Sequence, residues 1–258
     1  MKRDTSQSIN DCAYGVTNNS NDGTTFDFIG SKFQSYTVPG DGLYMLEVVG
    51  GQGGPASNDS NQGGKGALMQ YSMELKQGDR LRISVGGQGQ KGTSNGNNPS
   101  GGGGGGASSI VKVVSGDFET PSSDDVLILI AGGGGGAASR YPGSDAQTGE
   151  DGGGGQTCIC GFGSACCDIP VPGGTQNVCC TGTKGGTDES GGGLGDNPRG
   201  GAGGAGYLGD GGTHYDNGNN LLSWGGQSYK NGNFGGCSSN IGGCGGWGGG
   251  GNGGPAGG

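Results

Sequence analysis

The feature that most constrains this chain is the repeated junction between an apolar run and a run of glycines. Residues 126–136 read VLILIAGGGGG, so large apolar residues lead directly into glycines that can bury no side chain. The same junction follows residues 43–49 and 81–85, and it occurs in reverse where glycines 101–106 precede residues 108–114. The unbroken apolar run that opens the first stretch predicts a central strand covered on both faces. We therefore expect strands and glycine segments to alternate along the chain.

The order of the predicted strands indicates where the glycine segments lie. Strands are predicted at residues 26–29, 35–38, 43–49, 67–75, 80–85, 108–114 and 126–131. If neighbouring strands are antiparallel, every glycine segment leaves from one end of the sheet. The ordinary connections, 76–79 and 115–125, then lie at the other end. Order and direction together predict an all-β sandwich with little or no α-helix and a glycine-rich body at one end.

The strand at residues 80–85 shows a clean alternation of apolar and polar side chains. Its apolar positions and its polar positions (Arg80, Arg82 and Ser84) fall on opposite faces. This pattern predicts that the polar face of the strand is in contact with water.

The chain divides by composition into three parts. Residues 1–25 are polar, and this composition predicts an arm or a first edge strand. Residues 26–131 are expected to form the sandwich, together with two glycine segments at 50–66 and 86–107. Residues 132–258 are expected to form a long glycine-rich region of polyglycine II helices that contains a cysteine-rich loop at 158–180.

Glycine supplies 73 of the 258 residues, and only 28% of the chain is hydrophobic, too little for a conventional core along its whole length. Glycine also loses more backbone entropy on folding than any other residue. The glycine segments therefore form either a flexible linker or ordered polyglycine II helices, which are extended threads with three residues per turn. We favour the ordered threads, because glycine threads packed side by side can satisfy one another's backbone hydrogen bonds. Collagen is excluded, because the chain has no sustained Gly-X-Y period.

Several of these junctions resemble a known family. The stretches LEVVGGQGG (46–54), GDRLRISVGGQGQ (78–90), GGGGGGASSIVKV (101–113) and VLILIAGGGGG (126–136) are similar to the extracellular glycine-rich domain of the anaplastic and leukocyte lymphoma-kinase receptors and its free-standing relatives. The resemblance implies a tumour-necrosis-factor-like, jelly-roll β-sandwich with an inserted bundle of polyglycine II helices. The closing strand expected from that family has no counterpart in the final residues of this sequence. The cytokine-contacting residues of the receptors cannot be transferred to it.

Nine cysteines favour an oxidising compartment. Six of them fall in the loop 158–180, where they are Cys158, Cys160, Cys166, Cys167, Cys179 and Cys180. Their spacing lacks the C-x₂-C pairs typical of metal sites, so we expect disulfides of undetermined connectivity and no metal or other cofactor. Cys237 and Cys244 could pair across a turn, which leaves Cys12 unmatched or available for an intermolecular bond.

No catalytic site is predicted. His214 lies near Asp210 and Asp216, but no serine occupies a G-x-S-x-G turn and no cysteine is an evident partner. We interpret the histidine as a surface residue and the protein as not an enzyme. The late aromatic residues are expected to seal the glycine bundle against the sandwich, with exposed recognition residues as the alternative; they are Tyr207, Tyr215, Trp224, Tyr229, Phe234 and Trp247.

Charge and composition limit the partners. The net charge is −9 and the basic residues are scattered, which disfavours nucleic acid. No apolar run reaches the length of a membrane helix, so no membrane insertion is expected. N-glycosylation triplets begin at Asn18 and Asn58, which fits an extracellular or cell-surface location.

These observations predict a non-catalytic extracellular structural and interaction module, such as a subunit of a surface filament, matrix or adhesin. Its partners would be copies of itself or another extracellular protein. The alternative is the ligand-binding ectodomain of a receptor, as the resemblance implies. An ice- or glycan-binding face on the bundle is disfavoured, because irregular Asn, Asp and Ser residues interrupt the glycines.

Overall fold

Antiparallel strands form the framework of the chain. The computed structural model describes residues 23–57, 61–93, 100–137, 142–148, 202, 204–213, 224–237 and 242–251, and the backbone of short strands elsewhere. The strands are β1 (Gln7–Asn10), β2 (Thr24–Phe26), β3 (Gln34–Thr37), β4 (Gly42–Val49), β5 (Leu68–Leu75), β6 (Arg80–Ser84), β7 (Ser108–Lys112), β8 (Val126–Ala131), β9 (Cys167–Val171), β10 (Gly174–Val178), β11 (His214–Tyr215) and β12 (Leu221–Ser223). Helix in this part of the chain is limited to a 3₁₀ turn, Tyr229–Asn231. The prediction of an all-β fold is confirmed.

Eight of the strands form two four-stranded sheets. The first sheet has the order β2-β1-β4-β5 and the second has the order β3-β6-β7-β8, and the pairings in both are antiparallel. Strand β1 lies between β2 and β4, and β2, which begins at Thr24, is the outer strand on that side of the first sheet. No helix in the described residues is long and apolar enough to span a bilayer.

The two sheets share one hydrophobic core. Strand β4 alternates strictly, with Tyr44, Leu46 and Val48 buried and the residues between them more exposed. These side chains belong to one cluster with Leu81, Ile83, Ile110 and Leu129 of the second sheet, together with Val38, Ala67, Leu75, Val85 and Ala131. The apolar half of the alternation in β6 therefore faces the first sheet, as its sequence predicts.

The predicted central position of the apolar run in β8 is wrong. Among the described residues, strand β8 is the outermost strand on its side of the second sheet, and Val126 is 52% exposed. The run is apolar because its two faces contact different clusters. Leu129 joins the shared core, whereas Leu127 and Ile130 pack against a second cluster on the opposite face. An unbroken apolar run thus indicates that both faces of the strand are at least partly covered. It does not indicate whether the strand is central in the sheet or at its edge.

The predicted water-facing side of β6 is also wrong. Arg82 and Ser84 are fully buried, although Arg80 is only partly buried. The reason is that the chain after residue 202 covers this face of the second sheet. Tyr207 and Tyr229 form the second cluster there with Val111 of β7. The second sheet is therefore covered on both faces, once by the first sheet and once by the glycine-rich region.

The glycine segments lie together and bond to one another through their backbones. Six consecutive amides at residues 102–107 donate in strict rotation to three neighbouring segments, at N–O distances of 2.8–2.9 Å. Gly102 and Gly105 donate to Ala137 and Gly134; Gly103 and Gly106 donate to Gln90 and Gly87; Gly104 and Ala107 donate to Gly251 and Gly248. Each neighbour thus receives a hydrogen bond from every third residue.

The same period recurs in the segment at residues 50–57. Gly51, Gly54 and Ser57 donate to the carbonyls of Gly106, Gly103 and Ser100, while Gly50, Gly53 and Ala56 donate to those of Ala67, Gly64 and Asn61. The segments that follow β4, β6 and β8 and precede β5 and β7 therefore meet at one end of the two sheets, as the strand directions predict. The connection at residues 76–79 lies away from them, where Lys112 contacts Asp79.

The close approach of these segments requires glycine. A Cβ atom added to Gly53 would lie 2.0 Å from the Gly135 carbonyl oxygen, and one added to Gly106 would lie 1.6 Å from the Trp247 oxygen. Real Cβ atoms essentially never come within 3.0 Å of such atoms. Positions that point outward are different: a Cβ atom on Gly132 would meet nothing closer than 3.9 Å. The glycine content is therefore a packing requirement at the inward positions.

Candidate interaction surface

A buried arginine joins the late part of the chain to the second sheet. The guanidinium of Arg82 pairs with the buried carboxylate of Asp125 and donates to the Tyr229 hydroxyl at 2.7 Å. It also donates to three carbonyl oxygens of the loop 115–125, those of Asp117, Phe118 and Thr120, each at 2.7 Å. This one side chain thus connects β6, the loop before β8 and the turn at Tyr229.

The protonation states of this cluster are fixed by its surroundings. Burial disfavours the charged form of Arg82, but the hydrogen bond to Tyr229 and the charge of Asp125 outweigh it and raise the pKa of Arg82 further. Burial raises the pKa of Tyr229 well above its ordinary value of 10.0, against the opposing effect of Arg82. Arg82 therefore remains charged and Tyr229 remains neutral throughout the ordinary pH range.

The turn that carries Tyr229 has a fixed shape. The 3₁₀ turn ends at Gly232 with a left-handed backbone (φ 107°), and Asn233 follows with φ 63°. The amide nitrogen of the Asn233 side chain donates to the hydroxyl of Ser84 at 2.6 Å, and both groups are buried. Asparagine tolerates this conformation better than most residues do. The turn is thus held to β6 at two points, through Arg82 and through Ser84.

A shallow concavity lies beside this turn. Its volume is about 300 Å³, and its lining residues are Asp210, Gly211, Thr213, Trp224, Gly225, Gly226, Gln227, Phe234, Gly235 and Cys237. Trp224 and Phe234 are 47% and 52% exposed, so much of both rings is in contact with water. The Phe234 ring contacts the buried Trp247 edge-on at 5.3 Å between ring centres.

Backbone hydrogen bonds between three short segments build the concavity. Gly211 donates to the carbonyl of Gly226 at 2.8 Å, and Gln227 donates to that of Phe234 at 2.8 Å. A Cβ atom on Gly225 would lie 2.0 Å from the Gly211 carbonyl oxygen. The floor therefore consists of backbone in close contact, and the side chains stand around it.

Asp210 is the ionised group of the concavity. Its carboxylate accepts the Ser228 backbone N–H at 2.7 Å and the side-chain amide of Asn231 at 2.9 Å. Burial opposes the charge, but these hydrogen bonds outweigh it and lower the pKa of Asp210 below its ordinary value of 3.8. Asp210 is therefore negatively charged at neutral pH and held in one orientation.

A disulfide connects the rim of the concavity to the glycine segments. The sulfur atoms of Cys237 and Cys244 are 2.15 Å apart, so the pairing considered from the sequence is the one that the geometry permits. Trp224 donates to the Cys237 carbonyl at 2.8 Å, and Gln90 donates to that of Cys244 at 2.7 Å. The rim beside Trp224 is thus linked covalently to a chain segment that packs against residues 87–90.

The late aromatic residues have two different environments. Tyr207, Tyr229 and Trp247 are buried, which agrees with the predicted seal against the strands. For Trp224 and Phe234 the sealing prediction is wrong, because both side chains are about half exposed. The side chain of Tyr215 lies outside the described residues.

Other predicted site residues fall partly or wholly outside the described part of the chain. These are Cys12, Cys158, Cys160, Cys166, Cys179, Cys180, Asn18 and Asn58, and the side chain of Cys167, whose backbone belongs to β9. His214 contributes backbone to β11, while Asp216 and the imidazole are not described. Within the described residues, no three or more His, Cys, Asp or Glu side chains gather as metal ligands would.

The sequence analysis did not identify Arg82 and Asp125 as a buried ion pair. A charged residue on an alternating strand usually faces water, so the position of Arg82 gave no sign of burial. Comparison of the chain with protein-family models and with curated proteins found no match.

Proposed function

We propose that this chain is a non-catalytic, extracellular structural and interaction module that associates with copies of itself. The observation that best supports the structural role is that the six consecutive amides at residues 102–107 donate in turn to three neighbouring segments. A period of three residues is that of the extended left-handed helix. The glycine segments are accordingly polyglycine II helices that pack beside a β-sandwich, and the backbone itself forms the interior of the bundle.

Such a body is suited to mechanical and positional roles. Its hydrogen bonds join segments that are distant in the sequence, for example Gly87 to Trp247 and Gly64 to Gly135. Each of these bonds contributes about 0.5–1.5 kcal/mol, and they must form together because every segment has several neighbours. The result is a rigid support for the loops and strands at its surface.

The disulfide between Cys237 and Cys244 supports an extracellular location, because such bonds persist in oxidising compartments. Glycosylation at Asn18 and Asn58 stays a prediction, as does the alternative role of a receptor ectodomain.

Self-association is supported by the outer edge of the first sheet. In the described part of the chain β4 pairs with one side of β5, and no strand pairs with the other side. Strand β5 is eight residues long, and Leu68 and Tyr71 on it are about half exposed. A long edge strand with exposed apolar residues is the feature through which sheets of separate molecules pair. The occupant proposed for this edge is the β5 strand of a second copy.

Sedimentation velocity over a range of protein concentrations, together with electron microscopy of the native material, tests this function. We expect concentration-dependent oligomers or filaments for the natural protein and a monomer for Tyr71→Lys, because lysine on an edge opposes pairing. Leu43→Lys is the matched control, since Leu43 is also exposed but lies on β4, one strand inside the edge. A natural protein that stays monomeric, or association unaffected by Tyr71→Lys, would refute self-association through β5.

A further inference from the structure

We propose that the concavity between Trp224 and Phe234 binds a neutral saccharide. The two aromatic side chains supply stacking surfaces, the Asp210 carboxylate accepts hydrogen bonds from sugar hydroxyls, and the floor of the concavity is glycine backbone. The inference does not rest on self-association, because none of the lining residues belongs to β5.

Two exposed aromatic side chains are the first feature that suits a saccharide. Trp224 and Phe234 line the same concavity, and each exposes about half of its side chain. Large aromatic residues are normally buried in a fold, as Trp247 and Tyr229 are here. An exposed tryptophan offers a broad apolar surface with a polar edge, which matches the C–H face of a pyranose ring and its flanking hydroxyls.

Exposed aromatic rings beside a carboxylate suit two classes of ligand, a saccharide and an organic cation, and a cation would lie over one ring face within about 6 Å of its centre. Phe234 meets the buried Trp247 at 85° between the ring planes, and none of the ring–ring contacts among the described aromatic residues involves Trp224. Trp224 and Phe234 are therefore not stacked on each other, and each exposes surface for one unit of a sugar chain. The hydrogen-bonding groups distinguish the two classes, because sugar hydroxyls both donate and accept hydrogen bonds whereas an ammonium group only donates.

The polar groups complete the match. Asp210 is oriented by Ser228 and Asn231, so its carboxylate is positioned before any ligand arrives. The hydroxyl oxygen of Thr213 accepts the Gly225 N–H at 3.2 Å, which leaves the hydroxyl hydrogen available to a ligand. A carboxylate and a hydroxyl in this arrangement can exchange hydrogen bonds with the donors and acceptors of sugar hydroxyls.

The floor and the overall charge narrow the class of ligand. Gly225 and Gly226 pack directly against the Gly211 and Gly249 carbonyl oxygens, which lie within 2.0 Å of where a Cβ atom would stand, so the floor consists of closely packed backbone. The chain carries a net charge of −9, and the charged group in the concavity is a carboxylate. Sulfated and uronic saccharides would be repelled, so the ligand is uncharged.

The test uses the exposed tryptophan as its own reporter. The chain has two tryptophans, and Trp247 is buried, so iodide should quench the fluorescence of Trp224 selectively. The probes are maltotriose, lactose and tri-N-acetylchitotriose, each titrated to tens of millimolar, with N-acetyl-lysine methylamide as a cationic comparison. We expect at least one saccharide to protect Trp224 from iodide, and saturation-transfer NMR on the same saccharide to give the binding constant of each variant.

Three variants decide the result. Trp224→Ala should weaken the binding of that saccharide about tenfold, which corresponds to about 1.4 kcal/mol, and Asp210→Asn should weaken it as well. Leu208→Ala is the matched control, because Leu208 is equally exposed but does not line the concavity, so it should bind normally. The Trp224 backbone bond to Cys237 does not need the indole, and unchanged thermal unfolding will confirm that this variant is folded.

Binding of no saccharide, affinity unchanged in Trp224→Ala, or protection by the lysine derivative alone would each overturn the proposal. Loss of oligomers with saccharide binding intact would refute self-association only, so the two proposals fail separately.

Discussion

Two adjacent glycines give a sharp test of the close packing of the glycine segments. A Cβ atom on Gly133 would lie 2.0 Å from the carbonyl oxygen of Gly105, whereas one on Gly132 would meet nothing closer than 3.9 Å. Neither residue has a left-handed backbone, so alanine is conformationally acceptable at both. Gly133→Ala and Gly132→Ala therefore add the same methyl group one residue apart and differ in what that methyl group meets.

The magnitude follows from the contacts that must move. To accept the methyl group, the Gly105 carbonyl has to retreat by about 1 Å, and inserting a methyl group into a packed interior typically costs about 1–3 kcal/mol. The movement also strains the hydrogen bonds that Gly105 and Gly106 donate to Gly134 and Gly87, worth about 1 kcal/mol each. We expect Gly133→Ala to lose about 3–5 kcal/mol of unfolding free energy. Gly132→Ala should be unchanged or gain about 0.4–1 kcal/mol, because alanine restricts the unfolded chain.

Urea unfolding followed by tryptophan fluorescence measures the difference. Trp247 is buried, and its carbonyl accepts the Gly87 N–H of a neighbouring glycine segment, so its emission reports the packing of the segments. The midpoint should fall markedly for Gly133→Ala and stay in place for Gly132→Ala. Equal midpoints for the two variants would show that the segments are loosely packed, and the steric argument would be refuted.

Three further outcomes are expected. Asp125→Asn leaves the Arg82 charge buried without its partner and should cost about 3–5 kcal/mol in thermal unfolding; a loss below about 1 kcal/mol, the range of exposed pairs, would contradict the buried pairing. The lowered pKa of Asp210 stabilises the fold above its ordinary value of 3.8, and that contribution is lost as pH falls through the lower value. Between neutral pH and pH values below 3.8 the natural protein should therefore lose more stability than Asp210→Asn, and parallel pH profiles would exclude this contribution. Leu129→Asp buries a carboxylate in the shared core at a cost of several kcal/mol, so limited proteolysis should degrade the sheets and the glycine region together. A resistant glycine-rich fragment would show instead that the bundle folds alone.

The sequence predicted β2 to β8 because their signals are local, and it did not predict β1 or β9 to β12. Alternation in β6 identified Leu81 and Ile83 as the side chains that face the core, and β5 and β8 begin within one residue of the predicted positions. The common end of the glycine segments followed from strand direction alone. These features depend on near neighbours in the chain, which a sequence displays directly.

The errors concern what covers a face. Alternation at Arg82 separated two faces correctly but could not show that Tyr229, far along the chain, would lie on the polar one. The apolar run of β8 likewise could not distinguish a central strand from an edge strand with two half-covered faces. Trp224 and Trp247 are each followed by two glycines, yet one is exposed and the other buried. Long-range packing decided each of these cases.

The rotation of hydrogen bonds at residues 102–107 has a consequence for biosynthesis. The amides of Gly104 and Ala107 donate to Gly251 and Gly248, which follow much later in the chain. A ribosome adds about 5–20 residues each second, so the central segment emerges well before the partners that complete it. Until then its donors face water, or the equivalent acceptors of a neighbouring nascent chain. Synthesis at high density would favour exchange of the segment 248–251 between molecules, whereas slow, dilute synthesis would let each chain close on itself.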